Sequence, residues 1–273
     1  MKTLAAFLLA LALTSPAHAQ EKSVLDEVLA RGTVRVGVTS ESPPFGFIDD
    51  GGNLVGFDID IAKLVARVLF GDDKPERIEF VKEGFAARWA NVQSGAIDFG
   101  IQVTTILPDR ITRVGFTQGY IDSGIVVIVR NDSPIHSFAD LNNSKYVNAV
   151  LTTPVQAERA KQFFPNSKSI VFDSIGAQFN AVKGNRADAA QLDTPVAQWY
   201  VKNNPDMRIL PDVIVLPTNN AIFMKLGDFK WWQVLNTTVG EMRGGSLFSE
   251  YSKIYEKWFG TKPEHEKYYV KIQ

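Results

Sequence analysis

The sequence contains no cysteine, so it cannot form a disulfide, bind a metal through thiolates, carry a catalytic thiol or attach a lipid at a cysteine. Histidine is nearly absent as well, because the three histidines are His18, His136 and His265, far apart along the chain. Zinc and related metals are usually bound by clusters of these two residue types. We therefore expect no metal site and no cofactor.

A large excess of charge of one sign is also lacking. Lys and Arg total 29 against 30 Asp and Glu, and loss of residues 1–19, which hold one lysine, would leave 28 against 30, a net charge of −2. A protein that follows a phosphate backbone needs a marked excess of basic residues. Nucleic acid is therefore not an expected partner.

Long apolar runs are missing after the N-terminus. The chain begins with a positive charge at Lys2, continues with an apolar run over residues 4–13, and then shows the small-x-small sequence Ala17-His18-Ala19. This arrangement is typical of a secretory signal peptide cut after Ala19, and the apolar run is too short to cross a bilayer comfortably. We expect residues 1–19 to be a signal peptide and the mature protein to be exported.

The rest of the chain alternates strand patterns with helix patterns, which predicts α/β units with mostly parallel sheets. A first unit reads TVRVGVT, GFDIDIAKLVARVLFG, RIEFVKE, FAARWANVQSG and IDFGIQV, and it ends at a strand-to-helix corner from Thr105 to Arg110. A second unit runs from SGIVVIVR, near Ser123, to TPVAQWYVKN. The segment IVLPTNNAIFMK leaves this unit, and two helical patterns finish the chain. Such corners between strand and helix are where open α/β sheets bind ligands.

Several segments resemble, in the same order, those of the periplasmic amino-acid-binding proteins of ABC transporters. They are RVGVTSESPPFGF, GNLVGFDIDIAKLVARVL, NVQSGAIDFG, TILPDR with VGFTQGYIDSG, GNRADAAQLDTPVA and EKWFG. The resemblance implies an α/β, two-lobe periplasmic-binding-protein fold with two crossovers and a ligand cleft between the lobes. The first lobe would be residues 20–124 plus 218–273, and the second residues 125–217.

The resemblance also implies roles for individual residues at the corners. Arg110 matches an arginine that binds the ligand's α-carboxylate, and Asp193 matches an aspartate that binds its α-ammonium. Thr105 matches a residue whose amide meets the carboxylate and whose hydroxyl meets the ammonium, and Val103 one whose carbonyl meets the ammonium. The structural alternatives are that Arg110 is an exposed helix arginine and that Asp193 is a helix N-cap, although one carboxylate can both cap and bind.

Other positions concern the ligand's side chain. Phe85 matches an apolar residue that packs along the ligand, although aromatic residues at helix starts often belong to the core. Arg88 matches a position where some binders of acidic amino acids carry an arginine. Ser42 stands where the family often has an aromatic residue, and Glu41 beside it adds a charge. Because Arg88 and Glu41 would offer opposite charges to the side chain, we expect a polar uncharged amino acid, or an acidic one if Arg88 dominates.

One segment departs from the family pattern. The sequence reads Leu151-Thr152-Thr153-Pro154, and Pro154 has no N–H to donate, although the amide of Thr153 remains available for the ligand's carboxylate. Cyclohexadienyl dehydratases, exported enzymes of the same family, carry an acidic residue in this segment that LTTPVQ lacks. We find no catalytic constellation in the sequence.

The function implied by the resemblance is therefore capture rather than catalysis. The protein would bind an amino acid in the periplasm of a Gram-negative cell and, as a monomer, deliver it by hinge closure to a membrane ABC permease. A dehydratase-like enzyme and a free-standing amino-acid sensor domain remain the alternatives. The sensor would share every site residue with the transport protein.

Overall fold

The structure is a computed structural model that describes residues 22–263, apart from the side chains of residues 213–217. The predicted signal peptide, residues 1–19, and His265 lie outside the described residues. No helix in the described part is long and apolar enough to cross a membrane.

The first part of the chain builds one lobe. Its strands β1, β5 and β6 form one side of a large sheet, whereas β2, β3 and β4 form a small antiparallel sheet. The elements in chain order are α1 (Val24–Arg31), β1 (Val34–Val38), β2 (Glu41–Ser42), β3 (Gly46–Ile48), β4 (Leu54–Val55), α2 (Phe57–Phe70), β5 (Ile78–Lys82), α3 (Arg88–Ser94), β6 (Phe99–Gly100) and α4 (Pro108–Ile111).

The middle of the chain builds the second lobe, and the last part returns to the first. The remaining elements are β7 (Gly115–Arg130), α5 (Phe138–Leu141), β8 (Val147–Leu151), α6 (Pro154–Phe163), β9 (Lys168–Phe172), α7 (Ile175–Lys183), β10 (Ala189–Asp193), α8 (Thr194–Asn203), β11 (Met207–Met224), α9 (Phe229–Gly244) and α10 (Phe248–Phe259). We refer to β8–β10 with α5–α8 as the second lobe. The first lobe consists of the elements before β7 together with α9 and α10.

The long strands β7 and β11 connect the two lobes. The order of the large sheet is β5-β1-β6-β11-β7-β10-β8-β9, so the antiparallel pair β7 and β11 lies at its centre. Ser123 of β7 pairs with Thr218 of β11, and the register is irregular between Val215 and Thr218. Both strands therefore pass from one lobe to the other side by side, as the predicted two-crossover fold requires.

The helix α2 illustrates how the sequence pattern produces the packing of the first lobe. Its apolar residues Phe57, Ile61 and Leu64 follow helical spacing and are buried. The helix ends at Gly71, whose φ of 79° is left-handed and costs a glycine little, and whose N–H donates to the carbonyl of Arg67 at 2.8 Å. The rings of Phe57 and Phe259 lie 5.0 Å apart, so α10 packs onto α2 and joins the end of the chain to the first lobe.

The predicted α/β two-lobe fold is confirmed, with corrections to single elements. The sheet is parallel only toward its edges and antiparallel around β7 and β11. Strand β7 begins at Gly115 rather than near Ser123, because its first half, with glycine and polar residues, has a weak strand signal. Strand β6 covers Phe99–Gly100 and not all of IDFGIQV, since the chain turns away at Val103.

Candidate functional site

A cavity between the lobes brings together most of the residues predicted to bind a ligand. Its walls come from the α3 and α4 region of the first lobe and from the N-terminal ends of α6, α7 and α8 in the second. The predicted residues that line it are Phe85, Arg88, Val103, Thr105, Arg110, Thr153 and Asp193. Residues that are distant in sequence thus meet at the carboxyl ends of strands, where ligands of α/β sheets bind.

Arg110 is held in the cavity by the corner that contains it. Its Nη1 donates to the backbone carbonyl of Thr105 at 2.8 Å, which explains the spacing of five residues between the two. Burial lowers the pKa of Arg110, and the carboxylates of Asp109 and Asp193 oppose this effect. The hydroxyl of Thr105 donates to Oδ1 of Asn220 at 3.2 Å, so its lone pairs can still accept a hydrogen bond from a ligand.

Arg88 is the most deeply buried charge in the cavity wall, with 4% of its surface exposed. Its Nη1 donates to the hydroxyl of Thr104 at 3.3 Å, and Nε has no hydrogen-bond partner among the described residues. The guanidinium carbon lies 4.2 Å from the ring centroid of Trp89 and 5.3 Å from that of Phe85. Burial, followed by the positive charge of Arg110, lowers the pKa of Arg88 to about 9.

Asp193 lies on the opposite side, at the end of β10. It occupies the N-cap position of α8 but makes no side-chain capping hydrogen bond there. Its Oδ1 instead accepts from the hydroxyl of Ser123 at 3.0 Å. Burial raises the pKa of Asp193, whereas the hydrogen bond from Ser123 and the charges of Arg159 and Arg110 lower it. The carboxylate thus points to the cavity and the crossing strand rather than to its own helix.

Val103 contributes strained backbone to the same wall. Its φ is 49°, a left-handed value that is costly for a β-branched residue, on the order of 1–3 kcal/mol. The carboxylate of Asp58 accepts from the Val103 N–H at 3.2 Å and from the hydroxyl of Tyr120 at 2.8 Å. Asp58 is fully buried, and desolvation raises its pKa to about 7. This network holds the bend that turns the chain from β6 into the cavity wall.

The segment at Thr153 differs from the expectation in one respect. The amide of Thr153 donates to the carbonyl of Leu151 at 2.7 Å in this conformation, so it is already engaged. Pro154 occupies the first position of α6, where a missing N–H costs the helix nothing. The Thr153 hydroxyl accepts from the amide of Gln156 at 3.4 Å and caps the helix. The proline thus starts the helix without disturbing it.

Glu41 and Ser42 do not line this cavity. The side chain of Ser42 is fully buried and shares a hydrogen bond of 3.1 Å with the hydroxyl of Thr39. Glu41 is exposed and lines a neighbouring cavity together with Lys82 and Asp173. Glu41 pairs with Phe47 and Ser42 with Gly46 in the small sheet, and the cavity that Glu41 lines meets the first cavity at Phe85, which lines both. Among the described residues that line the first cavity Arg88 is thus present without Glu41, and that both reach the ligand's side chain stays a prediction.

Three residues of α6, Val155, Gln156 and Arg159, line the cavity although sequence reasoning did not identify them. Gln156 and Arg159 follow Thr153 at three-residue intervals, so all three lie on one face of the helix. This spacing in the sequence could have indicated that Gln156 and Arg159 share the helix face of Thr153. The side-chain carbonyl of Gln156 accepts from the Leu151 amide at 2.7 Å, which fixes the start of α6 against β8.

The arrangement favours a small molecule that carries both signs of charge. Arg110 presents N–H donors from the first lobe, and Asp193 presents a carboxylate from the second. Such donors bind carboxylates well, and a carboxylate binds an ammonium group. In residues 22–263, no group of three or more His, Asp or Glu side chains is placed to hold a metal ion.

Comparisons with known proteins show which family and which structures this chain is similar to. The model of a family described as bacterial extracellular solute-binding proteins, family 3, matches residues 34–261. A glutamine-binding protein of Geobacillus stearothermophilus is 30% identical over 193 residues, which cover 70% of this chain and 72% of that protein.

Solved structures are similar over most of the chain. The crystal structure of an ancestral amino-acid-binding protein, described as a precursor of cyclohexadienyl dehydratase, has a TM-score of 0.79 and 33% identity, covering 87% of this chain and all (100%) of that one. An ancestral arginine-binding protein bound to glutamine has a TM-score of 0.74 and 34% identity, covering 85% of this chain and 99% of that one.

Proposed function

Since the chain belongs to the bacterial extracellular solute-binding proteins of family 3, we propose that it captures an amino acid between its lobes and delivers it to a membrane ABC permease. The names of its relatives, a glutamine-binding protein and ancestral amino-acid-binding proteins, support an amino acid as the ligand. A signal peptide over residues 1–19 would place the protein in the periplasm, where we expect it to act as a monomer.

The observation that carries the proposal is that Arg110 of the first lobe and Asp193 of the second line the same cavity. Arg110 would bind the α-carboxylate and Asp193 the α-ammonium, because the two side chains carry the complementary charges and come from different lobes. The hydroxyl of Thr105 would accept from the same ammonium. Phe85, 8% exposed, would pack along the ligand's carbon chain.

We place the lobe boundaries at residues 124/125 and 217/218. The pairing of Ser123 with Thr218, and the irregular register beside it, support a hinge at this point of β7 and β11. A ligand that contacts both Arg110 and Asp193 would then favour the closed arrangement of the lobes.

Catalysis is less well supported than capture. Asp193 is the one carboxylate among the described residues that line the cavity, and it accepts a hydrogen bond from Ser123. The segment that starts α6 contributes Thr153 and Gln156, neither of which is an acid. A general acid paired with a general base is thus missing from the described walls.

The proposal is tested by measuring the Tm of the protein with and without each of the twenty common amino acids. A ligand at one hundred times its Kd should stabilise the protein by about 2.7 kcal/mol, which is roughly 5–10 °C in Tm for a protein of this size. The Arg110→Ala variant should lose this stabilisation, whereas Arg113→Ala, which removes an exposed arginine just after α4, should keep it. If none of the amino acids stabilises the wild type, the proposed function is wrong.

A further inference from the structure

The cavity has an excess of positive charge. Arg88 and Arg110 line it from the first lobe and Arg159 from the second, whereas Asp193 is the one acidic residue among the described residues that line it. Three positive groups and one negative group leave a net charge of +2. A ligand of the proposed function must bind inside this field.

Neither Arg88 nor Arg159 forms an ion pair with a residue that the structure describes. Within residues 22–263, neither guanidinium lies within 4.0 Å of a carboxylate oxygen, and the side chain of Arg159 makes no hydrogen bond. The acid that most affects Arg88 is Glu83, whose carboxylate instead accepts from the side-chain amides of Asn91 and Gln102. Burying a charge without a partner is costly, and a bound anion would remove that cost.

The unpaired atoms of Arg88 add an independent observation. The side chain is 4% exposed, yet Nε has no hydrogen-bond partner in the described part of the protein. Its packing against Trp89 and Phe85 fixes the plane of the guanidinium. A fixed guanidinium with an open donor suits a carboxylate, which can accept hydrogen bonds from two of its nitrogens.

An α-amino acid with a neutral side chain leaves this charge balance unchanged. Its α-carboxylate would use Arg110 and its ammonium Asp193, so the cavity would keep a net charge of +2. A basic amino acid would raise the value to +3, and an acidic one would lower it to +1. Arg88 and Arg159 remain available for the side-chain end of the ligand, because Asp193 is the one acid among the described lining residues and Glu41 lies in the neighbouring cavity.

We propose that the ligand is an amino acid with an anionic side chain, and that Arg159 of the second lobe, together with Arg88, binds that second acidic group. This inference rests on the proposed function; of the two ligands that the sequence left open, it selects the acidic one over the polar uncharged one and adds Arg159, which the sequence did not indicate. It also separates this chain from the glutamine-binding and arginine-binding proteins that it resembles. Arg159 would thereby determine specificity as well as help to close the cleft.

The proposal is tested by isothermal titration calorimetry, which compares the affinities for aspartate and glutamate with those for asparagine and glutamine. We expect the wild type to bind at least one of the acids more tightly than its amide by about tenfold or more, or about 1.4 kcal/mol. Arg159→Gln and Arg88→Gln should each reduce this ratio by about tenfold, while the affinity for the amide changes by less than about threefold. Arg159→Lys, which keeps the charge, should retain part of the preference.

The matched control is Lys161→Gln, which removes an exposed positive charge from the same helix and should leave the ratio within about twofold. Thermal unfolding of each unliganded variant separates a lost fold from lost specificity. If the wild type binds glutamine, arginine or another non-acidic amino acid most tightly, the inference is wrong while the proposed function stands. It is equally overturned if both arginine variants fold and keep the wild-type ratio. If no amino acid binds, the proposed function itself fails, and this inference with it.

Discussion

Asp193 Oδ1 accepts a hydrogen bond of 3.0 Å from the hydroxyl of Ser123, and Ser123 lies in β7 directly beside Thr218 of β11. The carboxylate proposed to bind the ligand's ammonium is therefore attached to the strands that join the two lobes. A change in the position of these strands would move Asp193 relative to Arg110. This contact couples the geometry of the site to the crossing.

Ser123→Ala removes this hydrogen bond and tests the coupling. Hydrogen bonds to charged groups contribute about 1.5–3 kcal/mol, so we expect ligand affinity to fall by about tenfold or more. The hydroxyl also lowers the pKa of Asp193, and its loss should raise that pKa further and weaken binding most at acidic pH. Titration calorimetry at two pH values measures both effects. Ser169→Ala, at an exposed position of β9, is the control.

Arg110→Ala and Asp193→Ala should each reduce ligand affinity far more than they reduce stability. Removing one partner of a buried, hydrogen-bonded charge pair typically costs about 2–5 kcal/mol of binding free energy. Calorimetry for binding and urea unfolding for stability separate the two quantities. Asp206→Ala, which removes an exposed carboxylate, should bind normally. Near-native affinity in either site variant would return that residue to a structural role.

An aromatic contact between the lobes allows closure to be altered outside the cavity. The ring of Phe47 in β3 lies 5.7 Å from that of Trp199 in α8 and 5.8 Å from that of Trp258 in α10. We expect Trp199→Ala to weaken ligand binding by about threefold to tenfold, because the closed state loses an aromatic pair while no ligand contact changes. Phe229→Ala, at an exposed ring of the first lobe, should not. Unchanged affinity in Trp199→Ala would indicate that this contact does not favour closure.

The sequence was informative where residues repeat a local pattern or a family motif. Three features lie where the sequence predicted them: the helix α2, the corner from Thr105 to Arg110 and the strand end at Asp193. The position of Glu41 could not be predicted in the same way, because its place near Pro43 and Phe45 in sequence does not reveal that it lines a neighbouring cavity.

The charge balance of the cavity could not be predicted without the fold. Arg159 resembles any solvated helix arginine in sequence, and it meets Arg88 and Arg110 only because α6 begins at the lobe interface. The buried position of Arg88 likewise depends on Trp89 and Phe85 packing against it. Tertiary contacts, rather than propensity or motif, decide which charges share a cavity.

Small-angle scattering should show compaction when the ligand binds. The two crossings at β7 and β11 permit hinge bending, and a ligand held by both lobes stabilises the closed arrangement. We expect a smaller radius of gyration with ligand in the wild type, and no change for Arg110→Ala under the same conditions. An identical radius for the wild type with and without saturating ligand would argue against the hinge.

The last prediction concerns Asp58, whose buried carboxylate holds the strained Val103. Desolvation raises its pKa from an ordinary value of 3.8 to about 7 in the folded protein, although Tyr120 and the Val103 amide both donate to it. Between about pH 4 and pH 7 the folded state therefore holds a proton that the unfolded state has lost. The sign follows directly: this group makes the folded protein less stable as pH rises through that window.

Asp58→Asn removes the titration but keeps an oxygen for the Val103 N–H and an amide that can donate to Tyr120. The free energy of unfolding of the wild type should thus fall relative to that of the variant between pH 4 and pH 7, by on the order of 4 kcal/mol, and the difference should level off above pH 7. Urea unfolding at several pH values measures it, with Asp206→Asn as the exposed control. Because Asp58 supports the backbone of Val103 at the cavity wall, Asp58→Ala should in addition weaken ligand binding, whereas Asp58→Asn should largely preserve it. A stability difference that does not change with pH would mean that Asp58 stays ionised in the folded protein, and that its two hydrogen bonds outweigh desolvation.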